Sequence, residues 1–140
     1  MRFMVLLKAD KNSEAGVLPD EKLLAAMGKY NQELINAGVL VDGAGLQASS
    51  KGARVKFSGR QRTVVEGPFP ETNSLIAGYW MFQVKSKEEA IEWVKRCPNP
   101  MDGDAEIEIR QVFELEDFPN VPAEVKETEE HFRKGRPGQD

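Results

Sequence analysis

The chain's 140 residues, 40% of them apolar, make one ordinary domain with enough material for a sizeable core, since domains cluster around roughly 100–150 residues. A net charge of −4 argues against nucleic acid as a partner, because phosphate binding demands a concentrated basic face. The lone Cys97 excludes an intrachain disulfide, and the apolar start from Phe3 to Leu7 is too short for a signal-peptide core or a membrane span, so the expectation is a cytosolic protein with no membrane partner.

Residues 1–9 read as a buried first strand. After a polar loop, Pro19 stands where a first helical residue would, with Asp20 and Glu21 in the first turn, where carboxylates oppose the helix dipole. Leu23, Met27, Tyr30 and Leu34 recur at helical spacing, and Gly38 is the expected C-cap. Residues 39–46 return in extended form, broken by Gly43 and Gly45. Residues 53–57 and 61–65 predict a hairpin around Ser58-Gly59-Arg60. The cations Lys51, Arg54, Lys56, Arg60 and Arg62 along it read as a solvated edge, a common device against edge-to-edge aggregation.

A further strand is expected over 76–84, and Ser86 with Glu89 forms a capping box for the next helix. That helix carries Ala90, Ile91, Val94 and Cys97, and Pro98 stops it. Residues 105–113 alternate as a last strand. Residues 1–115 therefore form the domain, and 116–140 a charged C-terminal arm, helical or partly disordered.

The order β-α-β, inserted hairpin, β-α-β is the ferredoxin-like α+β pattern. One face of the strongest strands is apolar (Phe3, Val5, Leu7, Trp80, Phe82, Val84, Ile107, Ile109) and belongs under the helices. The other mixes Met4, Leu6, Tyr79 and Met81 with Lys8, Gln83, Glu108 and Arg110. A solvated face would not choose the first set, and a second core would not choose the second. A covered but partly wet interior between two sheets of a homodimer accounts for both.

Between the hairpin and the following strand lies Glu66-Gly67-Pro68-Phe69-Pro70-Glu71-Thr72-Asn73. Its prolines fix their own φ and bias Gly67 and Phe69 toward extended backbone, so the loop is stiff. Glu66 and Glu71 are candidate catalytic carboxylates, since two carboxylates in different environments can act as acid and base. Alternatively Glu71 caps a turn and Glu66 pairs with Arg62 or Arg110. Phe69 either stacks on a ligand or plugs the core. Asp42 lies in a sharply bending stretch, where Asp is common for turn reasons alone. Lys8 and Arg110 suit an anionic group, or pair with Glu106 or Glu108. Cys97 is badly placed for activation at a helix C-terminus. The single His131 leaves no material for a His-dependent triad or a structural zinc site. No phosphate-cradling glycine motif is present, and no cofactor is expected.

The stretch from Glu66 to Thr72 resembles the Asp-Gly-Pro-Phe signature of the DGPF subgroup of YCII-related proteins. The likeness extends to the opening strand, to Ala37-Gly38-Val39-Leu40, Gly43-Ala44-Gly45-Leu46 and Gly78-Tyr79-Trp80, to the helix end from Trp93 to Pro98, and to residues 106–112. The resemblance implies a dimeric α+β barrel of ferredoxin-like protomers with a cavity bounded by both sheets. It also implies genes often adjacent to those for extracytoplasmic-function sigma factors, and a bacterial source. YCII proteins proper use a His and an Asp in that cavity. Here the position matching the Asp is Cys97, and the first long helix offers Tyr30 but no histidine. Glu66 replaces the subgroup's Asp, and Asn73 its usual Lys.

Two function classes follow. In the first, a small molecule binds between the sheets, with Lys8, Asp42, Gln83, Glu108 and Arg110 as polar contacts, and Tyr79 and Phe69 as walls. An enzyme of this kind would be a cofactor-free lyase, isomerase or dehalogenase with Glu66 or Glu71 as base. In the second, the chain is a non-catalytic regulatory module that contacts a sigma factor through its acidic arm. A variant swaps the arm onto the other protomer, with Phe118 and Phe132 as anchors.

Overall fold

A computed structural model describes residues 1–135. Its elements are β1 (Arg2–Lys8), α1 (Lys11–Glu14), α2 (Glu21–Asn36), β2 (Leu40–Gly45), β3 (Ala53–Ser58), β4 (Gln61–Glu66), β5 (Ile76–Gln83), α3 (Lys87–Lys95), β6 (Ile107–Gln111) and α4 (Ala123–Lys134). Strands β2-β5-β1-β6 form one sheet in that order, and β3 and β4 form a separate two-stranded ribbon. Every pairing is antiparallel. This α+β arrangement is compatible with the ferredoxin-like pattern.

The register of the central strands sorts the side chains. Phe3 lies opposite Phe82 and Val5 opposite Trp80, with Ile109 across from Val5 on the other side. These residues share the face under α2 and α3, where Phe3, Val5, Leu34, Phe82 and Ala90 are almost fully buried. Tyr30 joins them and donates its hydroxyl proton to the Trp93 carbonyl at 2.7 Å, which ties α2 to α3. Its buried ring meets Trp80 edge-on at 6.2 Å, a favoured aromatic geometry. The Trp80 indole N–H in turn donates to Asn31 at 2.9 Å, so the large side chains of this core keep their polar ends satisfied.

Helix boundaries follow their caps, with differences from the sequence reading. Asp20, not Pro19, opens α2: Asp20 is the N-cap and accepts from the Leu23 N–H at 2.8 Å, which leaves Pro19 outside the helix. A side-chain acceptor satisfies an otherwise orphaned donor, and proline has none to offer. The C-cap is Ala37, and Gly38 follows it at φ +71, the left-handed position that glycine tolerates best. Ser86 caps α3 as expected, but Glu89 reaches the Lys85 N–H rather than that of Ser86. The polar loop after β1 contains the short helix α1, whose capping box pairs Asp10 with Ser13.

The arm is helical over Ala123–Lys134; residues 136–140 lie outside the described part of the chain. Glu114 holds it at the Arg2 end of the sheet, accepting from Arg2 at 2.8 Å and from Arg133 at 2.7 Å. Arg133 is also held by Glu129, one helical turn earlier. The Arg2 hydrogen bond, more than any other influence, keeps the Glu114 carboxyl below its usual pKa.

Phe82→Ala should cost about 3–5 kcal/mol in urea unfolding, because it empties a site that is 0% exposed. The arm should also respond to acid. Because the folded Glu114 value is depressed, its stabilisation is complete above about pH 4.3, the ordinary glutamate value, and is lost as pH falls through the folded one. Hydrogen exchange across α4 should therefore accelerate on acidification below pH 4.3 relative to the β1–β5 amides, and Glu114→Gln should flatten that dependence.

Candidate functional site

The face of the sheet opposite α2 and α3 carries the mixed set. Met4 lies between Met81 and Arg110, and Leu6 between Tyr79 and Glu108. Met4, Leu6, Lys8, Tyr79 and Met81 are half-buried, whereas Gln83 and Arg110 are exposed. Asp42 pairs with Met81, and Ala44 with Tyr79, which extends the same face across β2. The Tyr79 hydroxyl is 3.4 Å from Asp42 Oδ2, and Asp42 Oδ1 accepts from the Gly43 N–H. Asp42 therefore lies not in a turn but within β2, at its register shift against β5, where its carboxylate serves the Gly43 N–H and the tyrosine.

Glu108 is the electrostatic centre of this face. Arg110 Nη1 donates to it at 3.3 Å and Lys8 Nζ lies 3.4 Å from its other oxygen. The Arg110 hydrogen bond and, second, the Lys8 charge hold its carboxyl below the usual range, so it stays ionised at neutral pH. The sequence left Glu106 and Glu108 as alternative partners for these cations; both have the parity of that face, but Glu106 precedes β6 and the contacts go to Glu108, opposite Leu6. Glu108, between its two cations, borders an apolar floor of Met4, Leu6 and Met81.

The loop after the ribbon is pinned from several sides. Phe69 N–H donates to Ser49 Oγ at 2.9 Å, and Gly67 N–H to the Gly52 carbonyl at 2.9 Å. Ser49 in turn donates both its N–H and its hydroxyl to Glu14 on α1. Gly67 packs so closely that a Cβ there would stand 1.8 Å from the Ser49 carbonyl oxygen. Glycine is needed for this close approach of two backbone segments.

Arg54 decides what the loop presents. Its guanidinium lies 3.9 Å above the Phe69 ring and donates to Glu71 Oε2 at 3.3 Å. Phe69 is half-buried beneath its own cation. Glu71 also caps the turn that follows, its carbonyl accepting from Ser74. Its exposed carboxyl is held low first by a hydrogen bond from its own backbone N–H and then by Arg54.

Glu66 is elsewhere. Paired with Ala53, it shares the ribbon face of Val55 and Val64, while Arg54 points from the other face opposite Val65. Among the described residues Glu66 makes no ion pair: Arg62 binds the Gly59 and Gln61 carbonyls and covers Phe57, and Arg110 belongs to Glu108. The two loop carboxylates therefore project to opposite sides of the ribbon and form no pair.

Of the candidate residues, Lys8, Asp42, Tyr79, Gln83, Glu108 and Arg110 share one sheet face, and Phe69, Glu71 and Glu66 belong to the ribbon and its loop. The sequence reading missed Glu14, Ser49 and Arg54 as the residues that fix the loop. The Asp10-x-x-Ser13 capping signature announced the short helix that carries Glu14; nothing local announced its partner 35 positions away. Shallow clefts lie beside Lys11 and residues 70–74 (about 490 Å³) and beside Val94, Cys97, Pro98 and Ile107 (about 230 Å³). Burial pushes the Cys97 thiol up to about 11, which keeps it protonated and inert. Among the described residues no group of three or more His, Cys, Asp or Glu could hold a metal ion, and no helix is long and apolar enough to cross a membrane.

A four-stranded sheet with helices on its buried face, and a separate ribbon that carries a Gly-Pro-Phe-Pro loop, places the chain among small α+β domains. The family model of the YCII-related domain matches residues 1–116, and the chain belongs to that family. It is also similar to an uncharacterized protein of Rhizobium meliloti (strain 1021), with 24% identity over 91 residues, 65% of this chain and 73% of that protein.

Gly67→Ala should force the loop away from Ser49 and break the hydrogen bonds made by Gly67 and Phe69. We expect a loss of about 1–3 kcal/mol, the usual cost of overpacking, read by thermal unfolding, with faster exchange at the Phe69 amide and little change in β1.

Proposed function

We propose that this chain is a DGPF-type member of the family that forms a homodimer with its mixed sheet faces opposed, and binds a small molecule in the cavity between them. The observation that carries this reading is the mixed face itself: an apolar floor of Met4, Leu6, Tyr79 and Met81 bordered by Lys8, Glu108 and Arg110. Half-buried methionine and tyrosine want cover, and an ionised cluster wants polar company. A shared, partly wet cavity supplies both, as ligand sites commonly combine apolar walls with a few placed polar groups. Gln83 and Asp42 add polar contacts at the margins, and the loop from Glu66 to Thr72, with Phe69, forms the rim.

Binding is better supported than catalysis. A general base works best with a pKa near the working pH, and both Glu71 and Glu108 are held low by neighbouring donors and cations. Glu66 and Glu71 also stand on different sides of the ribbon, so any base chemistry in the cavity would fall to one of them alone. Unchanged turnover in both Glu66→Gln and Glu71→Gln would remove that role.

Sedimentation at micromolar concentration should show a dimer; a monomer would end this reading. In a thermal-shift screen of small acids, phenols and phosphonates, a ligand at 100 times its dissociation constant should add roughly 2.7 kcal/mol of stability. Arg110→Ala should abolish that gain while leaving the unliganded melting temperature nearly unchanged, because Arg110 is exposed.

A further inference from the structure

Two segments of opposite net charge, the ribbon and the arm, stand at opposite ends of the sheet. The ribbon leaves the sheet after Gly45 and rejoins it at Ile76, which pairs with Lys8 at one end of β1. The acidic arm is anchored at the other end, where Glu114 holds Arg2 and Arg2 pairs with Gln83. The seven residues of β1 separate these ends by about 20 Å, at roughly 3.3 Å per residue.

Each segment has an unsatisfied surface. On one face of the ribbon Val55, Phe57 and Val64 are 50%, 71% and 60% exposed. Arg62 and Glu66 share this face, Arg62 covering one side of Phe57, whereas Lys56 lies on the other; over residues 51–66, Lys51, Arg54, Lys56, Arg60 and Arg62 stand against Glu66 alone. Lys51 and Arg60 make no ion pair among the described residues. In the arm, Phe118 and Val125 are 48% and 45% exposed, and Glu116, Glu124, Glu127 and Glu130 likewise make no ion pair. A ribbon with net positive charge and an exposed apolar face complements an acidic arm with exposed apolar residues. Among the described residues no ion pair joins the two within one protomer.

We propose that the acidic arm of each protomer docks on the basic, apolar ribbon of a second copy of this chain, so that the two subunits clasp one another reciprocally. The proposal rests on the face-to-face dimer above. When two such sheets oppose with their strands running in opposite directions, the Arg2 end of one lies over the Lys8 end of the other. A two-fold axis then forms the same arm-to-ribbon contact twice. The contact also places the arm beside the Glu66–Thr72 loop of the partner, at the rim of the shared cavity. Its charged rim makes the association salt-dependent, since exposed charges are screened within a Debye length of about 10 Å at 0.1 M salt.

The test uses the full chain in three forms: wild type, a ribbon reversal (Lys51→Glu with Arg60→Glu) and an arm reversal (Glu124→Lys with Glu127→Lys). All four positions are exposed, and thermal unfolding of each form verifies that it folds. Sedimentation should show each reversal alone weakening the homodimer at least tenfold and removing most of its salt dependence. An equimolar mixture of the two variants should restore wild-type affinity, because each arm then faces a ribbon of opposite charge. A wild-type dimer whose affinity neither reversal changes would overturn the clasp and leave the face-to-face dimer standing. A monomeric wild type would overturn both.

Discussion

Phe3 and Phe82 face one another across the central strand pair, and this register determines the rest of the molecule. Strand side chains alternate, so a shift of one residue would exchange the faces of every strand at once. With Phe3 and Phe82 turned under α2 and α3, Val5, Trp80 and Ile109 must follow, while Met4, Leu6, Tyr79, Glu108 and Arg110 must turn the other way. The mixed face is the obligatory reverse of the core. Its positions are set by hydrophobic burial on the opposite side of the sheet, which is why the charged cluster around Glu108 sits on a rigid platform.

The ribbon and its loop follow a different logic. No second layer covers the ribbon within the protomer, and its order depends on polar stitching: Ser49 to Glu14, Phe69 to Ser49, Gly67 to Gly52, and Arg54 to both Phe69 and Glu71. A loop held this way is stiff without being buried. Its aromatic and one carboxylate are engaged by the same arginine, which holds both in place. The other carboxylate, Glu66, faces away with the exposed apolar side of the ribbon.

Charge is distributed to match this division. The sheet holds its cations in compensated clusters, Arg2 with Glu114, and Lys8 and Arg110 with Glu108. The ribbon and the arm carry net charge of opposite sign at opposite ends of the strands. A pair packed head to tail would bring these two segments together. The proposed cavity and the proposed clasp draw on the same geometry, one from the centre of the sheet and one from its ends.

Much of the fold was legible in the residues. Strict alternation in β1, β5 and β6 revealed both faces of the sheet, helical spacing located α2 and α3, and Gly38, Ser86 and Pro98 marked their ends. These are local signals, written in periods of two and of three to four residues. The candidate site was legible only as a set of side chains on a face, because alternation names the face but not the partner. Choosing Glu108 for both Lys8 and Arg110, sending Glu66 and Glu71 to different sides, and recruiting Arg54, Ser49 and Glu14 to the loop all required contacts between distant positions. Such contacts depend on where whole elements come to rest, and only the folded chain decides that. By itself, the sequence determined the family, the core face and the stiffness of the loop; tertiary structure decided which charges meet, because a salt bridge or hydrogen bond forms over a few ångströms and carries no periodic trace along the chain.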